Sequence, residues 1–275
     1  MESKQLNLLI NTGAALVGLI LVGYFAYSAM HTDSALPCSD RFGAATRFSL
    51  HTGDGKPLTP IELQARAGAH DFGVIDNASV VSVTDGPAPE VLEVKLGKLS
   101  GNTDSSDTAR NGIEFRWAPP GVKGAASACV SYSVWFPEKF QFSGGGILPG
   151  VFGVNTAQPS DTKITVSPQW DGGGKPIIGS TAESGEIRHM FGQSSALPTG
   201  RWIKVDQEVT LNEPGHSDGT ARLWIDGTLV IEDKRMGLRN GADILLAGVL
   251  VTAAHRRLPV DPGMLRLSPV EVSWR

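Results

Sequence analysis

Ser143-Gly144-Gly145-Gly146-Ile147-Leu148-Pro149-Gly150-Val151-Phe152-Gly153 is the stretch on which the reading of this chain turns. It follows Tyr132-Ser133-Val134-Trp135-Phe136-Pro137, an alternating run that reads as a strand. Glycines let backbone pass where side chains would clash. Taken alone, a Gly/Pro loop between strands only turns the chain. Alternation in the preceding strand sends Val130, Tyr132, Val134 and Phe136 to a core. It leaves Cys129, Ser131, Ser133 and Trp135 on the other side.

The same two-residue period recurs along the chain. Ile113, Phe115 and Trp117 alternate with Glu114 and Arg116, and Val91 to Leu96 alternates as a strand near a sheet edge. From Ile203 to Leu211, Ile203, Val205, Val209 and Leu211 point inward while Lys204, Asp206, Glu208 and Thr210 point outward, the pattern of an antiparallel sheet buried on one face. Asp226-Gly227 between two apolar runs predicts a tight hairpin. Pro60 to Ala67 predicts a short helix with proline at its start. Ser100 to Asp107 predicts a surface loop. There are 33 glycines and 17 prolines in 275 residues, which suits many turns between short strands. The class expected is all-β, a sandwich or barrel. A net charge of -4 argues against nucleic acid as partner, since that would call for a basic stripe.

Residues 1–31 predict a transmembrane anchor. No charged residue occurs from Gln5 to Met30, and Ala14 to Tyr27 is almost wholly apolar, so the run is long enough to cross a bilayer as a helix. A cleaved signal peptide is the rival reading, with Ala26-Tyr27-Ser28 as a passable cleavage site. Lys4 before the run supports a cytoplasmic N-terminus. Residues 32–40 form a polar linker and residues 41–275 the main domain. The expected location is a bacterial inner membrane, crossed once, with the domain in the periplasm, or secretion if the leader is cleaved. Cys38 and Cys129 are the only cysteines, and in an oxidising compartment a disulfide between them is expected. No Cys/His spacing suggests a metal, and no cofactor is implied.

Five motifs in order carry a resemblance, over roughly Asn111 to Trp274. They are the Tyr132–Pro137 strand, the Gly145-Gly146-Ile147-Leu148-Pro149-Gly150 loop, Gly200-Arg201-Trp202, Leu211-Asn212 and Trp224-Ile225-Asp226-Gly227. The series resembles polysaccharide lyase family 14, the alginate-lyase-like proteins, and more distantly the heparin-lyase-like jelly rolls. The resemblance implies a lectin-like jelly-roll β-sandwich with a glycan groove on one sheet, and an acidic polysaccharide as partner.

It also implies catalytic positions that this chain fills differently. A uronate lyase needs a cation on the carboxylate, a base for the C5 proton and an acid for the leaving oxygen. The family pattern supplies these from a lysine in the loop, a basic residue on the next strand and a Tyr-x-Tyr pair. Here the lysine position is Ile147. The next strand, Thr165-Val166-Ser167-Pro168-Gln169-Trp170, has Ser167 in the arginine position, and Pro176 to Ser180 carries no tyrosine. The expectation is non-catalytic glycan binding or scaffolding in polysaccharide metabolism or export, through Thr165, Ser167, Gln169, Trp170 and Trp135. Trp224 is a further stacking candidate, although core packing is the commoner fate of tryptophan. One alternative is catalysis by a substitute set, His189 with Arg188 and His255, in which histidine is the base and arginine the carboxylate clamp. The bland reading makes His189 an ordinary strand histidine and Arg256-Arg257 a solvated turn. Glu114 and Glu186 are candidate hydrolase carboxylates. A second alternative is a structural subunit of a cell-envelope complex with envelope protein partners.

Overall fold

The computed structural model describes residues 13, 17–23, 36–68, 71–97, 111–119, 124–192, 194–257 and 261–275. Among these residues the strands are β1 (Thr46–Arg47), β2 (Asp71–Phe72), β3 (Ala78–Ser82), β4 (Glu90–Leu96), β5 (Ile113–Trp117), β6 (Ser127–Trp135), β7 (Gly146–Ile147), β8 (Gly150–Asn155) and β9 (Gln158–Trp170). There follow β10 (Pro176–Thr181), β11 (Ile187–Phe191), β12 (Trp202–Thr210), β13 (Gly219–Ile225), β14 (Thr228–Met236), β15 (Ile244–His255), β16 (Gly263–Leu267) and β17 (Glu271–Trp274). The predicted helix forms as α1 (Pro60–Ala67). Thr59 and Glu62 cap it reciprocally, which satisfies two N-terminal amides that would otherwise lack partners.

Two antiparallel sheets make an all-β jelly-roll sandwich. The nine-stranded sheet runs β14-β13-β12-β6-β16-β4-β3, with β17 pairing β6 and β1. The eight-stranded sheet runs β11-β10-β9-β7-β15-β5-β2, with β8 pairing β15 and β9. The core lies between them. Val130, Tyr132, Val134 and Phe136 are all buried there, as their alternation requires. Gln207 enters this core and donates from Nε2 to the Val166 carbonyl at 3.0 Å, tying one sheet to the other. The Asp226-Gly227 hairpin forms between β13 and β14 with both residues at positive φ, 49° and 79°.

The outer face of the nine-stranded sheet departs from one-sided exposure. Asp206 and Glu208 point outward yet are buried, because a 3-10 turn at Cys38–Asp40 lies over them. A disulfide from Cys38 to Cys129, Cα to Cα 5.7 Å, pins that turn to β6. Arg41 pairs with Glu208, and Phe42 packs with Trp224 around the bridge. The expected anchor at residues 1–31 falls mostly outside the described residues. Residues 17–23 are helical and exposed, and among the described residues no helix is long and apolar enough to cross a membrane. The predicted loop at Ser100–Asp107 also lies outside them.

Candidate functional site

The glycine-rich loop becomes β7, a two-residue strand threaded between β15 and β9. Tight packing explains its composition. A Cβ on Gly146 would lie 1.9 Å from the Trp170 ring, and Gly144, at φ 84°, would meet the Arg257 carbonyl at 2.3 Å. The loop is held from the core side. Tyr132 donates its hydroxyl to the Pro149 carbonyl at 3.1 Å, and Leu148 N–H donates to Pro168 at 2.9 Å. Gly150 closes on the Ser167 backbone, where a Cβ would come within 2.5 Å of Ser167 Cα.

Register assigns each neighbour to a face, since residues directly opposite in an antiparallel pair point the same way. One set comprises Ala254, Ile147 and Gln169, then Ser167, Gly179 and His189, then Thr165, Thr181 and Ile187, with Glu114 opposite Thr252 and Arg116 opposite Leu250. These residues point away from the core. They line a groove of about 380 Å³ that includes Ile147, Thr165, Ser167, Gln169, His189 and Glu114. Thr165, Ser167 and Gln169 therefore stand on the groove floor, and Ile147 and Ser167, the positions where the family pattern has basic residues, face it too. Gln169 lies over Gly179, whose missing Cβ leaves room for the amide.

The other set faces the core, and it corrects several expectations. Trp170 shares a row with Gly146 and His255 and is fully buried, walled by Phe136, Phe140 and Phe142. It cannot stack on a sugar. His255 is buried, stacked on Phe140 with centroids 5.6 Å apart, and burial holds its imidazole below the usual range against the opposing hydrogen bond to the Gly145 carbonyl. Arg188 points opposite to its neighbour His189 and pairs with Asp233 at 3.2 Å. Trp135 is on the nine-stranded sheet, under the Arg266 guanidinium at 5.0 Å, and Trp224 is buried beside the disulfide. Glu186 sits exposed in the turn before β11 and does not line the groove. Tyr132 is buried, and burial first, then the Asp206 charge, pushes its phenol well above its ordinary value, so it is no proton shuttle at neutral pH.

The structure brings His189 instead to Arg256, the neighbour of His255. Arg256 Nη1 donates to His189 Nε2 at 3.0 Å. Arg256 follows β15 and His189 is on β11, four strand spacings away, about 19 Å across a flat sheet. Two side chains do not bridge that distance end to end, so the sheet curves and the pair closes across one end of the groove. Guanidinium only donates, so His189 accepts at Nε2 and carries its proton on Nδ1. The lone pair that would take a substrate proton is thereby occupied. At the other end Thr252 Oγ1 donates to Glu114 Oε2 at 3.3 Å, and Arg116 lies over the Phe152 ring at 5.7 Å. Six described arginines pair with carboxylates, Arg41, Arg47, Arg188, Arg201, Arg222 and Arg266, whereas Arg66, Arg235, Arg239, Arg257 and Arg275 do not among the described residues, and Arg116 donates to the Ser160 carbonyl. Arg116 and Arg256 have no carboxylate partner among the described residues. The Arg256 contact was unreadable from spacing, because it depends on sheet curvature.

The family model for polysaccharide lyase 14 matches residues 85–167 and 189–254, more than half of the chain. Comparison with curated protein sequences finds no match. Among solved structures, a marine PL-14 alginate lyase from Aplysia kurodai is 17% identical, with TM-score 0.63, over 85% of this chain and 99% of that one. An alginate lyase from Chlorella virus is 18% identical, with TM-score 0.58, over 72% of this chain and 90% of that one. An endo-beta-1,4-glucuronan lyase from Trichoderma reesei is 12% identical, with TM-score 0.53, over 76% and 90%. At these identities the structural likeness speaks for the fold, while the family model, matching over half the sequence including the glycine-rich loop, shows that the chain belongs to the polysaccharide lyase 14 family.

Proposed function

We propose that this domain binds an acidic polysaccharide in the groove of the eight-stranded sheet without cleaving it. The observation that carries the reading is the pair of arginines, Arg116 and Arg256, left without carboxylate partners on the face where Thr165, Ser167, Gln169 and Thr252 offer hydrogen bonds. Arg256 lies six positions along from Leu250, the residue opposite Arg116, about 20 Å of strand, so the two cations suit an extended polyanion. Charged donors are worth most against carboxylates. Elimination by the family pattern lacks its parts. Ile147 can neither neutralise a carboxylate nor move a proton, the groove among described residues holds no tyrosine, and His189 spends its Nε2 lone pair on Arg256.

The proposal extends to location. The uncharged run from Gln5 to Met30 supports a single-pass anchor in a bacterial inner membrane, with the domain in the periplasm beside polysaccharide synthesis or export. Membrane fractionation with protease protection tests this. A mature chain in the soluble periplasmic fraction overturns the anchor in favour of cleavage.

The test of function is titration calorimetry with polyglucuronate and alginate, run beside ultraviolet absorbance of the unsaturated elimination product. Salt-sensitive binding with no absorbance growth is expected. A hydrogen bond to a charged group contributes about 1.5–3 kcal/mol, so Arg256→Ala or Arg116→Ala should weaken binding about 10- to 100-fold. Absorbance growth that vanishes in His189→Ala overturns the reading in favour of a lyase with a substitute base. No binding at all, with loss of envelope assembly in Gln169→Ala, favours a structural subunit.

A further inference from the structure

We propose that an apolar well beside the groove receives an acyl ester carried by the bound glycan; the inference rests on the groove being a glycan site. A sheet face that meets sugar is expected to offer polar groups or an open aromatic ring, and Thr165, Ser167 and Gln169 fit that expectation, whereas the Phe152 ring is buried. Phe152, Val154 and Ala247 do not. They point to the same outer face and form a small apolar cluster of their own, with Leu250 packed against it, separate from the main core. Beside them opens a well of about 330 Å³ lined by Phe152, Val154, Leu245, Ala247, Pro159 and Arg116.

A local irregularity of β15 builds the well. Leu246 stands opposite Gly153 and Gly248 opposite Phe152, so Ala247 is the extra residue of a bulge and is aimed out of the ladder. Gly248 lacks the Cβ that would meet the Phe152 ring at 2.6 Å, which lets that ring lie down as the floor. The well and the groove are continuous. Phe152 is directly opposite Thr165 of the groove floor, and Arg116 lines both spaces.

That shared arginine selects the occupant. A uronate carboxylate paired with Arg116 brings the hydroxyl positions of the same sugar to the mouth of the well. A free hydroxyl pushed into it would lose its hydration without gaining a partner. An O-acyl ester at that position carries apolar carbon instead. An apolar cavity of about 150 Å³ takes a benzene ring, so this well holds an acyl chain of several carbons. Each buried methylene is worth about fourfold in affinity.

The test is calorimetric titration of the full chain with polyglucuronate bearing O-hexanoyl esters and with the same polymer after saponification. Ligand-detected NMR with hexyl β-glucuronide probes the well without a polymer. The ester should raise affinity at least tenfold, and Ala247→Phe, which fills the well from its wall, should remove the difference between the two polymers. If Ala247→Phe does not fold, Ala247→Leu serves as the smaller plug. Equal affinity for both polymers overturns the inference and leaves glycan binding standing. Binding of hexyl β-glucuronide, lost on plugging, with neither polymer bound supports the well and overturns the polymer reading. Silence from both polymers and probe overturns both.

Discussion

Gly146→Ala tests the packing on which the groove depends. The new methyl would lie 1.9, 2.3 and 2.4 Å from three atoms of the Trp170 ring, against an optimal carbon separation of about 3.5–4.0 Å. About 1.5 Å must therefore be found by moving the loop or the indole. The indole is walled by Phe136, Phe140 and His255, with centroids at 5.6, 5.9 and 5.7 Å, and has nowhere to go. Overpacking costs about 1–3 kcal/mol, and a shortfall this large in a walled site belongs at the upper end. Gly146 is not in the left-handed region, so alanine adds no backbone strain and gains about 0.4–1 kcal/mol from a less free unfolded chain. The net loss is about 2 kcal/mol, a fall in Tm of about 4–8 °C for a chain of this size. Calorimetry or urea unfolding measures it, with Gly172→Ala as control, where the nearest atom is 3.9 Å away. In a Trp170→Phe background the same alanine should cost less than half as much, because contacting sites are not additive. A Gly146→Ala variant as stable as Gly172→Ala, or equally costly in both backgrounds, would refute the account of why this loop is glycine.

Three further outcomes are expected. Removing the disulfide by Cys38→Ser with Cys129→Ser should cost up to about 4.5 kcal/mol for its 91-residue loop, and coincident melts of both forms would show that the bridge does not hold the N-terminal turn in place. Because His255 is held below its usual value of 6.5, the unfolded chain binds more protons just below that pH. Stability should thus fall as pH drops through 6.5 and level off below the folded value, and His255→Phe should flatten that part of the curve of urea midpoints. Ile147→Lys restores a cation to the loop but no proton shuttle, so it should tighten polyglucuronate binding without producing unsaturated product; absorbance growth would identify His189 as a competent base.

Alternation alone determined much of the architecture, because a pleated strand allows each side chain only two directions. It sent Tyr132 and Phe136 inward and Thr165, Ser167 and Gln169 outward, while the motif resemblance, not alternation, put Ile147 and Ser167 where the family pattern has cations. The same parity turns Trp170 and His255 to the core and sets Arg188 opposite to His189, so those burials were legible within single strands. Tertiary structure decided what strand parity cannot carry. Asp206 and Glu208 are outward by alternation and buried in fact, since a turn far away in the chain covers them. Trp135 belongs to the sheet without the groove, which depends on which strands pair. His189 meets Arg256 because the sheet curves over four strands, a property of the assembled sheet and of no segment within it.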